Sequence, residues 1–326
     1  MNHVLLLAAL AGGPAAAADP PPDGPRFPKL SHADAWKHLP RQSPKLPNWA
    51  RTLAESLPQT TAAMLELDHV HRAKNPLGPV VAGKLRWWAA DALGCDYQKE
   101  YAEADLRRAG LGDDELEALA GDAKDLSKSD RLLRAFARKM SRAASTVTDA
   151  EVAELVARFG PERVVGFVHT LAYANFQARI LLALDVEVEP GGPLPPLDEK
   201  FDSSEAVEVP ARRDWKETTA SERSVSDDRP DWLGGSAGDL QQAMAAQKAR
   251  KPRVPYPPPE ALEKLPPEAK NQAGKIVWTR ISMGYQPALT RAWFETMGTF
   301  QQEARFDRVF SNTYFWVITR TNDCFY

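Results

Sequence analysis

From Trp49 to Leu184 the apolar residues return every three or four positions. Met64, Leu65, Leu67 and Val70 do so within Ala62–Ala73, and Leu132, Leu133, Phe136, Ala137 and Met140 within Ser129–Ala143. That spacing gathers them on one face of a helix. No run of five or more residues alternates apolar and polar as a half-buried strand would, so the expected fold class is all-α. Punctuation sets the expected limits. Pro58 closes a helix begun at Trp49, and Thr60-Thr61 caps the next one. Pro79 opens a run to Leu93, stopped by Gly94. Tyr97–Ala109 ends at Gly110, and Gly112 precedes an acidic helix start. Thr148-Asp149-Ala150-Glu151 reads as a capping box. Pro161–Leu184 is the most apolar stretch and is expected at the centre of the bundle.

Proline changes this picture outside the helical region. The chain has 326 residues and 27 prolines, clustered at 20–47, at 190–196 and at 255–259. That length suits about two domains. The expected division is a signal peptide at 1–18, a Pro-rich extended segment at 19–47, a helical domain at 48–186, a Pro-rich linker at 187–270 and the start of a second helical domain at 271–326. One short helix, Asp239–Arg250, is expected inside the linker. Residues 4–11, VLLLAALA, are too few to span a bilayer but match the apolar core of a secretory signal, with Ala16-Ala17-Ala18 before Asp19 as a cleavage site. Export is therefore the expectation, with a cytoplasmic chain as the alternative.

A self-comparison finds one ungapped register. Pro287 follows Pro58 by 229 residues, and the same offset pairs Thr61 with Thr290, Ala63 with Ala292, Glu66 with Glu295, Trp87 with Trp316, Cys95 with Cys324 and Tyr97 with Tyr326. Both cysteines of the protein coincide. Two tandem helical copies are expected, the second reaching only to its Cys-x-Tyr. This reading expects the coding sequence to have continued beyond Tyr326.

Charge and cysteine content narrow the chemistry. A formal charge of −3 gives no basic excess for nucleic acid, and two cysteines exclude a disulfide scaffold and a cysteine-rich zinc site. Of the six histidines, His69 and His71 fall on different helix faces, which argues against a metal pair. His169 lies in the apolar last helix, either bonded within the core or reaching Cys95 as a proton relay. Cys95 follows Gly94 at a junction between helices. A thiol at a helix N-terminus feels unpaired N–H groups and the positive end of the dipole, which favour the nucleophilic thiolate. A complete redox site adds a second thiol one turn on and a proton carrier.

Gly94-Cys95-Asp96-Tyr97-Gln98-Lys99-Glu100-Tyr101-Ala102, with Arg107-Arg108-Ala109-Gly110-Leu111, Asp113–Leu116, Val147–Val152 and Ala172–Arg179, resembles the carboxymuconolactone decarboxylase-like, or alkylhydroperoxidase D-like, superfamily. The resemblance covers about 48–186 and part of the segment from about 275. It implies that superfamily's helical bundle and a thiol-dependent peroxidase, working without a bound cofactor or metal. A hydroperoxide would be the substrate and a dithiol the reductant. It also implies assembly into trimers or hexamers, and neither a nucleic acid nor a membrane as partner. The superfamily's motif is Cys-x-x-Cys-x-x-x-His, often with a glutamate twelve residues before the first cysteine. Here the second cysteine falls on Gln98, the histidine on Ala102 and the glutamate on Gly83. The first copy keeps only the attacking sulfur, so Cys95 is either a structural residue or a catalytic candidate with a one-thiol peroxidatic or redox-sensing role. Cys324, followed by Phe325-Tyr326, opens an intact version of the motif whose second cysteine would be the next residue. It is the expected catalytic thiol of the full-length protein, while in the chain as far as Tyr326 it is expected to be an inert, unpaired thiol. The alternatives are a non-catalytic helical scaffold and a lactone decarboxylase without redox cysteines.

Overall fold

A computed structural model describes residues 27–39, 45–197, 236–249, 251–273 and 276–322. Among them there is no strand, and the fold is all-α. The leader at 1–18 and Cys324 lie outside the described residues. The helices of the first unit are α1 His32–Trp36, α2 Asn48–Leu53, α3 Pro58–Ala73, α4 Pro79–Leu93, α5 Asp96–Arg108, α6 Asp113–Ala120, α7 Lys128–Arg142, α8 Asp149–Phe159 and α9 Pro161–Leu184. Then follow α10 Ala237–Ala249, α11 Pro259–Glu263, α12 Pro267–Ala273, α13 Val277–Tyr285, α14 Pro287–Ala304 and α15 Arg308–Thr321.

Most expected boundaries hold. Gly94 adopts a left-handed φ of 68° and ends α4, where a side chain would be strained. The Thr148–Glu151 capping box forms, with the Thr148 hydroxyl on the Glu151 N–H and the Glu151 carboxylate on the Thr148 N–H. Pro58 is a correction. It opens α3 at the first helical position, where its missing N–H costs nothing, and does not close the helix before it. Thr61 is accordingly inside α3, its hydroxyl on the Leu57 carbonyl at 2.7 Å, and caps nothing.

α9 is the central helix, as its composition demanded. Phe167, Leu171 and Ala174 are fully buried there, in one core with Leu85, Trp87 and Trp88 of α4, Leu106 of α5 and Phe136 of α7. A second core joins Trp49, Leu65, Leu67, Cys95, Tyr97, Tyr101, Tyr173 and Phe176 to Ala292 and Met297 of α14.

α14 lies antiparallel along α3. The Thr296 hydroxyl, which donates to the Ala292 carbonyl of its own helix at 2.9 Å, also lies 3.2 Å from the Ala63 carbonyl, and the Glu303 carboxylate accepts from the Gln59 and Thr60 N–H groups at 2.9 and 2.8 Å. Glu303 therefore caps the first turn of α3 from the far side of the sequence. α13, α14 and α15 begin 229 residues after α2, α3 and α4, the offset of the sequence repeat. Thr290 also repeats the bond of Thr61, its hydroxyl on the Gln286 carbonyl at 2.7 Å. α15 leaves Val309, Phe310 and Tyr314 exposed.

Gly83 shows how closely α4 and α5 meet. A Cβ there would stand 2.6 Å from Cδ2 of Leu106, which is fully buried. Gly83→Ala should therefore cost about 1–3 kcal/mol by overpacking, measured by urea unfolding. A cost near zero would mean that α4 and α5 are farther apart than described.

Candidate functional site

Cys95 sits where the sequence places it, at the N-cap of α5. Its N–H closes the end of α4 on the Ala90 carbonyl at 3.0 Å, the backbone pattern that follows a left-handed glycine. The thiol's state differs from the expectation for a helix terminus. Cys95 is 2% exposed. Burial pushes its pKa up to about 11, and the backbone N–H of Gln98, which favours the thiolate, is outweighed.

The other motif positions are filled by structural groups. Gln98 is buried, its amide on Gln177 at 3.2 Å. Ala102 is fully buried in the core that holds Leu106 and Trp87. At Gly83 the contact with Leu106 leaves no room for a glutamate.

The centre of the unit holds a buried charge network. Asp105 of α5 accepts from Arg72 Nε at 2.7 Å and Nη2 at 2.9 Å, and from Arg86 Nη2 at 2.7 Å. Arg72 also donates to Asp68 at 3.0 Å, and Asp68 accepts from the Tyr173 hydroxyl at 2.6 Å and from Gln177 at 3.3 Å. The network thereby ties α3, α4, α5 and α9 together. Burial works against charge on Asp105, but the Arg72 hydrogen bonds and the Arg86 charge overcome it and hold its pKa at about 2. Burial also opposes the charge on Arg72, yet Asp68 and Asp105 keep it firmly protonated.

The chain beyond α9 closes one side. Glu189 is buried and accepts from the Asn48 N–H at 2.6 Å, the Tyr97 hydroxyl at 2.8 Å and the Tyr101 hydroxyl at 2.7 Å. The Leu194 carbonyl accepts from Arg72, and the Pro193 carbonyl from Arg108. The first residues of the stretch read as linker thus form a strap across α2, α3 and α5.

His71 and His169 each have partners other than Cys95. His71 is buried and stacked on Tyr173, with centroids 4.2 Å apart. Burial, then His169 and Arg86, hold its pKa well below the usual value. His169 is half-buried and lies 3.3 Å from the Thr290 hydroxyl of α14; burial lowers its pKa to about 4. Of the two readings open for His169, a bond within the packed helices is the one seen. No grouping of three metal-ligating side chains occurs among the described residues, and no described helix is long and apolar enough to cross a membrane.

No family model, curated protein or solved structure matches the chain.

Sequence reasoning missed Asp105, Arg72, Arg86 and Glu189. One local sign was present: Arg86 is a charge set between Leu85 and Trp87 in a largely apolar helix. Asp105→Ala should cost about 3–5 kcal/mol, because two arginines would be left buried without their shared carboxylate. The pH dependence has a definite sign. The folded pKa of about 2 lies below the ordinary value of 3.8, so the stabilisation is full above about pH 4 and fades as pH falls toward 2. Chemical unfolding at pH 7, 4 and 2.5 should show that loss in the native chain and a smaller one in Asp105→Asn.

Proposed function

We propose that the protein is a two-copy helical protein of carboxymuconolactone decarboxylase-like type. In this reading the first copy is a structural unit and Cys324 of the second is the peroxidatic thiol. The observation that carries the assignment of roles is the burial of Cys95 with its pKa raised to about 11, beside a Gln98 already committed to Gln177. A thiol in that state has little thiolate at neutral pH, and no second sulfur stands one turn on to resolve a sulfenic acid. The common offset of α2–α4 and α13–α15 supports the two-copy reading. So does the antiparallel pairing of the equivalent helices α3 and α14.

The chemistry follows from the resemblance. The Cys324 thiolate attacks one oxygen of a hydroperoxide, the O–O bond breaks, and the alcohol leaves as the sulfur becomes a sulfenic acid. A dithiol donor then returns the thiol, releasing water and leaving as its disulfide. A non-catalytic scaffold is the second reading, favoured by the same filled site in the first copy.

Peroxide treatment with dimedone trapping, read by peptide mass spectrometry, separates the two. Cys324 should be labelled in the native protein and Cys95 only after unfolding. Peroxide consumption should be lost in Cys324→Ser and unchanged in Cys95→Ser. Native labelling of Cys95 at the rate of Cys324 would overturn the assignment. An unlabelled Cys324 would leave the scaffold.

A further inference from the structure

α3 and α14 begin 229 residues apart, each with a proline at its first position, and lie side by side in opposite directions. They meet through the same face. The buried positions of α14 include Leu289, Ala292 and Thr296. Moved back by 229, these are Thr60, Ala63 and Leu67, which are buried on α3. Steps of three and four put each trio on one side of its helix. The Thr296 hydroxyl lies 3.2 Å from the Ala63 carbonyl. Exchanging the two helices turns that contact into Leu67 against Ala292, and these two share the second core. Pairs that persist under such an exchange mark a two-fold interface.

The ends of the pair break the symmetry. Glu303 is buried and accepts from the Gln59 and Thr60 N–H groups, where a carboxylate suits the positive end of α3. Its counterpart in the first copy is Lys74, exposed just past the end of α3. The exchanged contact would set the Lys74 ammonium against the positive end of α14, which repels it. That end of α14 is held by α9 instead, through Nε2 of Gln286 on the Glu162 carbonyl at 2.8 Å.

We propose that the face of α3 bearing Thr60, Ala63 and Leu67 is an assembly face for a second copy of this chain, and that α14 occupies it as the built-in partner. The difference between Lys74 and Glu303 directs α3 to α14 and away from the α3 of another chain. The inference rests on the two-copy part of the proposed function and not on its thiol chemistry. In a pair of α3 helices the contact of Ala63 with Leu67 forms twice by symmetry, and Leu67 brings more apolar surface than Thr296. Against that pair stand two Lys74 ammonium groups, one at each helix start. Glutamate at position 74 would reproduce the bonds of Glu303 at both ends.

Sedimentation velocity of the full chain at micromolar concentration tests this. Ala292→Arg drives a long charged side chain into the contact and displaces α14. Alone it should keep the native particle mass, because Lys74 opposes self-pairing. Adding Lys74→Glu should at least double that mass, and a further Ala63→Arg should restore it. Lys74→Glu by itself should change nothing while α14 stays in place. The near-UV circular dichroism signal reports whether the first unit remains packed; where Ala292→Arg loses it, Thr296→Arg on the same face takes its place. The proposal fails if the packed double variant keeps the native mass, or if the doubled mass survives Ala63→Arg. Dimedone labelling of Cys324 in the native chain is a separate readout. Doubling without labelling overturns the thiol chemistry and leaves the assembly face; labelling without doubling overturns the assembly face alone.

Discussion

The carboxylate of Asp105 is the point at which the first helical unit is tied together. Two buried arginines from two other helices end on it, Arg72 from α3 and Arg86 from α4, and Arg108 of its own helix reaches it at the rim. Taking these charges out of water costs several kcal/mol each, and only complete pairing returns that energy. The helices must therefore stay where the bonds close. That constraint sets the place of Tyr173 and Gln177 through Asp68, and it fastens the strap through Arg72 and the Leu194 carbonyl.

The same packing decides the fate of the thiol. A helix N-terminus stabilises a nearby negative charge by about 0.3–1 kcal/mol at ordinary sites. The rise of the Cys95 pKa from 9.0 to about 11 is worth about 3 kcal/mol in the opposite direction. Desolvation wins. A position that would activate a half-exposed cysteine here holds a small apolar one, in a core with Trp49, Leu65 and Phe176.

The local features of this architecture were legible and the long-range ones were not. Helical spacing, Gly94 and the Thr148 box placed most of α4 to α9, because helix ends and faces are written in residues within four of one another. Pro58 was misread because proline ends one helix and begins the next equally well. The actual break is the turn Ala54–Leu57, in neither helix. Asp105 finds its partners 33 and 19 positions away, separations that no periodicity encodes. Glu303 meets α3 across more than half the chain; the repeat makes α14 the equivalent of α3 in sequence, but an offset does not say that the two pack together. The place of Cys95 could be read from Gly94. Its acidity could not, since burial is a property of the assembled helices.

The central claim is that Cys95 is sealed by the packing that Asp105 organises. Alkylation kinetics of Cys95 in Cys324→Ser protein, followed across low urea concentrations, test it most directly. Sealing predicts modification only through global unfolding, with the urea dependence of the unfolding equilibrium itself. A rate that is fast in water and insensitive to urea would show a thiol open to solvent in the folded protein and contradict the account.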